Sequence, residues 1–482
     1  MARTSVLVTR IIFTLGLVAC GPQRTGGGDD QNPDEPCNPG AVEECYDGTA
    51  GTDGVGPCHK GTRTCTDQKI WTACDGEVLP IAEACADGVD NDCNGMTDED
   101  IDADGDGFTT CGGDCCDSVN VCGTPGAVNP GAFDAPGNNF DDDCNGVLDD
   151  TVALCDQGIA SNTADPMDFA KAMELCQTTT MADKKWGVIS AKFTLADGTG
   201  APATQAHAVR PRFGTNIMPR AGGSLALLST GHAAAKGDTN PSFQDFEDLP
   251  FGDPGNGKES NFPADFLQAN GNKLPNAPGC PAIDPGSKAE DPMMLTLQIR
   301  VPTNAKSFKL ENNFFSSEFP EYTCSAFNDF FVVLLDSAFS GTPANPTDKN
   351  LAFYAPPNSM QKFPVGVNLA SGNTGLFTQC INGKVGCAPG SKAGTISTCV
   401  GFDQLANTGF DTPKSGECDT NSKEGGGTGW LTTSGNVNGG EIITLRIAIW
   451  DTSDHILDSI VAVDNFQWSV DATDPGTVIF RK

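Results

Sequence analysis

Histidine is nearly absent from this chain, with 4 among 482 residues. Three of them, His207, His232 and His455, fall in the C-terminal two-thirds at unrelated spacings. There is no G-x-S-x-G, no H-E-x-x-H and no P-loop, so the common nucleophilic, zinc-hydrolytic and phosphate-binding signatures are missing. Basic residues are also few, 29 Lys and Arg against 63 Asp and Glu, for a net charge of −34. A chain this acidic lacks the footprint that neutralises phosphates, which excludes nucleic acid as a partner. Beyond the N-terminus no apolar run reaches about eighteen residues, so no spanning helix is expected. The chain is read as non-catalytic, with a length that suits roughly three domains.

Cysteine, by contrast, is abundant at 21, which points to an oxidising compartment. The N-terminus agrees. Arg3 and Arg10 give a basic start and Ile11 to Ala19 form an apolar run, too short to span a bilayer but suited to a signal peptide. The run ends Leu17-Val18-Ala19-Cys20, which resembles a bacterial lipobox. The resemblance implies a signal peptide over 1–19, cleavage before Cys20, lipidation of its sulfur, and export to the outer membrane. Residues 20–36 are rich in Gly, Pro and Asp and read as a flexible tether. Without Cys20, 20 cysteines remain, 14 between Cys37 and Cys176 and 6 between Cys280 and Cys418. Both groups are even and each can close on itself, in a connectivity that spacing does not determine.

From Asp29 to Asp150 there are 29 acids and 3 bases. With few large apolar residues, such a stretch needs disulfides or metals to offset its chain entropy. Residues 37–82 read as a small Cys-rich module of short hairpins, and 83–152 as an acidic metal-binding segment. In the latter, Asp102-Ala-Asp104-Gly-Asp106-Gly107-Phe108 places carboxylates at alternate positions of a tight turn. Gly107 permits the bend and Phe108 offers a carbonyl. Hard oxygen donors at this spacing suit Ca²⁺, which takes six to eight of them. The twelfth position is Gly113 where an EF-hand has Glu, so the expectation is a helix-less calcium loop closed by Asp114. Two further segments repeat one theme. Asp90, Asp92, Asn94 and Asp98 correspond to Asp141, Asp143, Asn145 and Asp149, each set around Asp-Cys-Asn-Gly. Copper suits the segment less, because it selects soft or imidazole ligands and only His59 lies near.

Residues 83–150, from EACADGVDNDCNG through DADGDGF, GGDCCD and AVNPGAF to DDDCNGVLDD, resemble the MopE-type metal-binding motif of myxobacterial surface proteins. The resemblance implies metal-binding loops on an exported protein. The chain departs from the motif at Cys116, where Asp is commoner, and Cys122 offers a partner for that thiol.

After Cys155 the pattern changes to strands. Asp165-Pro166 opens a short helix. The runs 187–195, 223–230, 293–301, 306–315, 330–335, 441–450 and 459–470 are strand-like and separated by Gly, Pro and Asn. Leu445, Ile447 and Ile449 alternate with Thr444, Arg446 and Ala448, a period of two. The expected fold is mainly β: a disulfide-rich acidic N-terminal stalk, then a two-sheet antiparallel β-sandwich over 155–482. A disulfide-braced insertion is expected at about 370–440. The run Phe314–Tyr322 with Phe327–Val332, and the stretch Leu445–Phe466, resemble the choice-of-anchor L domain of bacterial surface proteins, which implies a surface location more than an activity. Glu318, Glu321, Asp329, Asp451 and Asp454 are candidates for paired carboxylates of a glycosidase, or more simply for structural calcium. The overall expectation is a lipid-anchored surface protein with a structural-calcium stalk and a β-sandwich that binds a surface glycan or protein. The alternatives are a surface-polysaccharide hydrolase and a metal scavenger.

Overall fold

A computed structural model describes residues 37–81, 83–98, 100–117, 122, 124–150, 153–246, 257–283, 286–357, 359–411, 418 and 425–479. Cys20 and the residues read as signal peptide and tether lie outside the described residues. The chain divides into two compact units, Met1–Glu99 and Asp100–Lys482. The first holds one hairpin, β1 (Val42–Cys45) antiparallel to β2 (Gly61–Thr64). Disulfides Cys37–Cys65, Cys45–Cys74 and Cys58–Cys93 close around it. Its strands bury only Cys45 and Gly61, so the covalent bridges replace the core that the segment lacks.

The second unit is a sandwich of antiparallel sheets. Its elements in chain order are α1 (Pro166–Lys171), β3 (Gly187–Thr194), β4 (His207–Arg210), β5 (Leu225–Ser229), β6 (Glu259–Ser260), α2 (Ala264–Ala269), β7 (Ala289–Arg300), β8 (Ser307–Ser316) and β9 (Phe330–Asp336). Then follow β10 (Phe353–Tyr354), β11 (Phe363–Pro364), β12 (Gly383–Val385), β13 (Gly394–Ile396), β14 (Gly426–Gly427), β15 (Leu431–Asn436), β16 (Ile442–Thr452), β17 (Ser459–Ser469) and β18 (Gly476–Ile479). One sheet runs β18-β15-β8-β17-β5-β4 with β14 also on β8, and the other runs β3-β7-β16-β9 with β6 also on β7.

Alternation along the strands explains the layering. On β9, Phe331, Val333 and Leu335 enter the core between the sheets, while Phe330, Val332 and Leu334 enter a second cluster outside. On β5 and β17, Ala226, Leu228, Val461 and Val463 point inward, and Leu225, Leu227, Ile460 and Ala462 form a third cluster on the opposite outer face. Both sheets are therefore apolar on both faces, and short segments cover the outer ones. Phe262, just before α2, and Phe266 within it cover Trp450 on one; Phe213, Phe246 and Phe410 seal the other.

α1 begins as its sequence indicates, with the Asp165 carboxylate accepting from the Met167 N–H at 2.9 Å and Phe169 fully buried. The insertion is shorter than 370–440, because residues 431–436 form β15 between β8 and β18. This strand holds its place through polar pairing, with the Thr433 hydroxyl 2.7 Å from Asn312 Nδ2 and 2.8 Å from Thr477 Oγ1. The bridges Cys380–Cys399 and Cys387–Cys418 brace what precedes it. Bridges of this density persist in oxidising compartments, so the folded chain is extracytoplasmic. Among the described residues no helix is long and apolar enough to cross a membrane.

α2 is fastened to the sheet by charge. Arg446 of β16 donates to both Asp265 carboxylate oxygens at 3.0 and 2.6 Å, and Lys349 reaches the same group at 2.8 Å. The Arg446 hydrogen bonds are the main reason that the Asp265 carboxyl is held below its usual range. A depressed folded-state pKa contributes stability above the unfolded pKa and loses it as pH falls through the folded value. The difference in urea midpoint between the native chain and Asp265→Asn is therefore expected to be constant from about pH 7 to 5 and to narrow below about pH 4. A difference that held constant down to pH 3 would contradict this.

Candidate metal centres

Among the described residues, five clusters bring three acidic side chains within 4.8 Å of one another through their oxygens. Four lie in the acidic segment. In the first unit Glu83, Asp90 and Asp92 converge. Asp90 accepts from the N–H groups of Asn94 and Gly95, each at 3.0 Å, and Asp92 from Asn94 at 3.0 Å. Glu83 accepts from the N–H groups of Asn91, Asp92 and Asp98. The backbone thus turns inward to orient the carboxylates.

The second unit repeats this with Asp134, Asp141 and Asp143. Asp141 accepts from Asn145 and Gly146 at 3.0 and 2.8 Å, and Asp134 takes the place of Glu83 by accepting from Asp142 and Asp150. The backbone matches as well: Cys93 and Cys144 both have φ of 59°, and Asp98 and Asp149 have 53° and 48°. In each repeat the last expected ligand caps a turn. Asp98 caps the N–H groups of Asp87 and Gly88, and Asp149 caps those of Gly137, Asn138 and Asn139. Neither Asp98 nor Asp149 comes within 4.8 Å of the other acids as part of these clusters. Asn94 and Asn145 place their side-chain carbonyls on the N–H groups of Met96 and Val147, which orients the turns.

The DADGDGF loop forms two linked clusters, Asp102–Asp104–Asp117 and Asp104–Asp106–Asp114. Gly105 and Gly107, with φ of 79° and 94°, allow their N–H groups to reach Asp102 at 2.7 and 3.0 Å. Asp106 is held by the Phe108 N–H at 2.8 Å and by Asn129 Nδ2 at 2.7 Å. The Phe108 ring is buried and lies so close to Gly131 that a Cβ there would be 2.6 Å from it. Asp117, absent from the expected set, joins by accepting from the Ala103 N–H at 3.0 Å and the Thr110 hydroxyl at 2.7 Å. Cys116 pairs with Cys122, as its departure from the motif implied.

Two oxygens at the centre of this loop, Oδ2 of Asp104 and Oδ2 of Asp114, are buried and accept no hydrogen bond. Burial first, and then Asp117, Asp106 and Asp104, pushes the Asp114 carboxyl up to about 6. Burial and Asp134 do the same to Asp143, to about 6. Buried acceptors left without donors are costly, and a cation between them would supply what is missing. The donors are all carboxylate oxygens, which fits a hard cation better than copper. His59 belongs to none of these clusters; its Nδ1 lies 2.9 Å from the Pro57 carbonyl.

The family model for Cu-binding MopE, described as "Putative metal-binding motif", matches residues 81–99 and 126–150. These are the two repeats, Glu83–Asp90–Asp92 and Asp134–Asp141–Asp143. The match covers a small part of the chain and supports a metal-binding motif of the MopE type. No curated protein and no solved structure matches the chain.

Removing like charges should have opposite effects with and without metal. In a chelator, the double variant Asp104→Asn plus Asp114→Asn is expected to melt above the native chain, because repulsion worth about 1–4 kcal/mol per close pair is relieved. In excess divalent cation the order should reverse. Calorimetric scans in both buffers check this, and an unchanged order would exclude a cation from the loop.

Proposed function

We propose that this chain is a lipid-anchored extracytoplasmic surface protein whose acidic loops bind calcium structurally and whose sandwich serves adhesion or ligand binding. The observation that carries the metal reading is the pair of buried, donorless oxygens of Asp104 and Asp114 within an all-oxygen cluster. Calcium would neutralise loops that otherwise repel themselves. Extracellular modules bind it with Kd near about 10⁻⁴–10⁻³ M, so millimolar calcium outside the cell suffices. Lipid anchoring rests on the lipobox-like Leu17–Cys20. For the sandwich, an open cleft of about 470 Å³ lies over the five-stranded sheet, lined by Lys192, Thr194, Asp197, Asp265, Thr296 and Arg446. Ala196, Pro263 and Met294 also line it, and polar groups beside an apolar floor suit the edges and faces of a surface glycan. Catalysis is not part of the proposal. Glu318, Asp329 and Asp451 are closed from solvent, which supports a structural role for them over a catalytic one.

Calorimetric titration of the chelated full chain with Ca²⁺ is expected to show saturable millimolar binding that weakens in Asp104→Asn plus Asp106→Asn. Displacement of the calcium by copper would favour the metal scavenger instead. Cys20→Ser is expected to release the protein from the membrane fraction and abolish its labelling by fatty acid. A membrane-bound, unlabelled native chain would end the lipoprotein reading.

A further inference from the structure

The fifth carboxylate cluster lies far along the chain from the acidic loops, inside the sandwich. Glu318, Asp329 and Asp451 converge within 4.8 Å and are 2%, 0% and 3% exposed. Glu318 follows the end of β8 in the seven-stranded sheet. Asp329 immediately precedes β9, and Asp451 lies near the end of β16, where Trp450 pairs with Phe330. The cluster therefore stands where strands of both sheets terminate together.

Three buried carboxylates need positive partners. Among the described residues no Lys or Arg forms an ion pair with any of the three. His455 bonds elsewhere, to Asp291 at 2.8 Å and Glu290 at 3.1 Å. The surrounding charges that act on Glu318 and Asp451 are other acids, Asp454 among them. Hydrogen bonds do not fill the gap either. Glu318 takes one N–H from the Asp329 backbone and Asp451 one from Thr452. Asp451 and Ser459 stand beside Asp329, yet neither of its oxygens, nor Oε2 of Glu318, has a donor in hydrogen-bonding geometry. Three acceptor atoms on side chains almost wholly buried are thus aimed into one space without a donor. An uncompensated charge in such a place is untenable without a counter-ion or a proton.

We propose that Glu318, Asp329 and Asp451 bind a divalent cation of the calcium type that braces the two sheets of the sandwich. All three ligands are hard oxygens, with no imidazole or thiolate in the cluster, which excludes a preference for copper or zinc. Magnesium keeps several waters, whereas calcium accepts a shell built mostly from protein oxygens. A closed site favours the second. Burial makes the role structural: the ion enters as the strands assemble and leaves only when they part. This site shares no residue with the acidic loops and stands or falls independently of them.

The test uses the full chain with the loops silenced by Asp90→Asn, Asp104→Asn and Asp141→Asn. Refolded in Ca²⁺ and passed into calcium-free buffer, it is expected to retain one calcium per chain by elemental analysis. Its melting temperature should exceed that of the same chain refolded in EDTA. Adding Asp329→Asn, or Glu318→Gln, should remove that ion. If either variant fails to fold, the silenced chain decides alone: a retained ion supports the site and none overturns it. An ion that survives both substitutions also overturns it. So does an Asp329→Asn substitution that raises the melting temperature over the silenced parent by the same amount in calcium and in EDTA, since a proton shared among the carboxylates then balances the charge in the parent.

Discussion

Carboxylate packed against carboxylate is the constraint around which this protein is arranged. Two such groups at about 4 Å repel by roughly 1 kcal/mol in water and about 4 kcal/mol at a protein surface. The chain builds clusters of them repeatedly, in the acidic loops and again between the sheets. In the loops, backbone N–H groups converge on Asp90, Asp102 and Asp141 and offset part of the cost. They do not reach every oxygen, and those left over mark where a cation belongs.

The sandwich solves a different difficulty. Sheets apolar on both faces would aggregate if left open. Here the outer faces are covered by pieces too short to be layers of their own, such as α2 and the segments bearing Phe213, Phe246 and Phe410. Because the covers are thin, polar anchors such as the Arg446–Asp265 pair hold them where apolar area alone is small. The two inner faces share one continuous core, within which strand ends from both sheets meet at the buried acids.

The strands legible in the sequence were those with alternating or continuous apolar runs bounded by turns. β9 and β16 are recognisable from FFVVLL and LRIAIW. β15 is not, because LTTSGN carries no apolar alternation and is held by side-chain hydrogen bonds to strands distant in sequence. α2 escapes because six residues with no side-chain cap give no periodicity to detect. Among the site residues, the Asp-x-Asp pairs were legible because their geometry is local. Glu83 and Asp134 were less so, standing seven residues before those pairs. Aligning EACADGVDNDCNG with DAPGNNFDDDCNG places an acid at the head of each and identifies both. Asp98 and Asp149 stand outside the three-acid clusters and cap turn N–H groups instead, an arrangement that composition alone does not announce. Asp117 joins through a chain reversal that its spacing does not announce.

Cys93 and Cys144 sit within the two repeats, each in the left-handed conformation and each bridged, to Cys58 and Cys115. A free acidic loop deprived of its ion relieves repulsion by swelling. A loop riveted at its midpoint has little room to do so. Its carboxylates stay gathered when empty, and the ion returns to a cradle that is already shaped. The bridges in this way exchange resilience for readiness: capture demands no refolding, and the loops keep their form through swings in the salt around the cell.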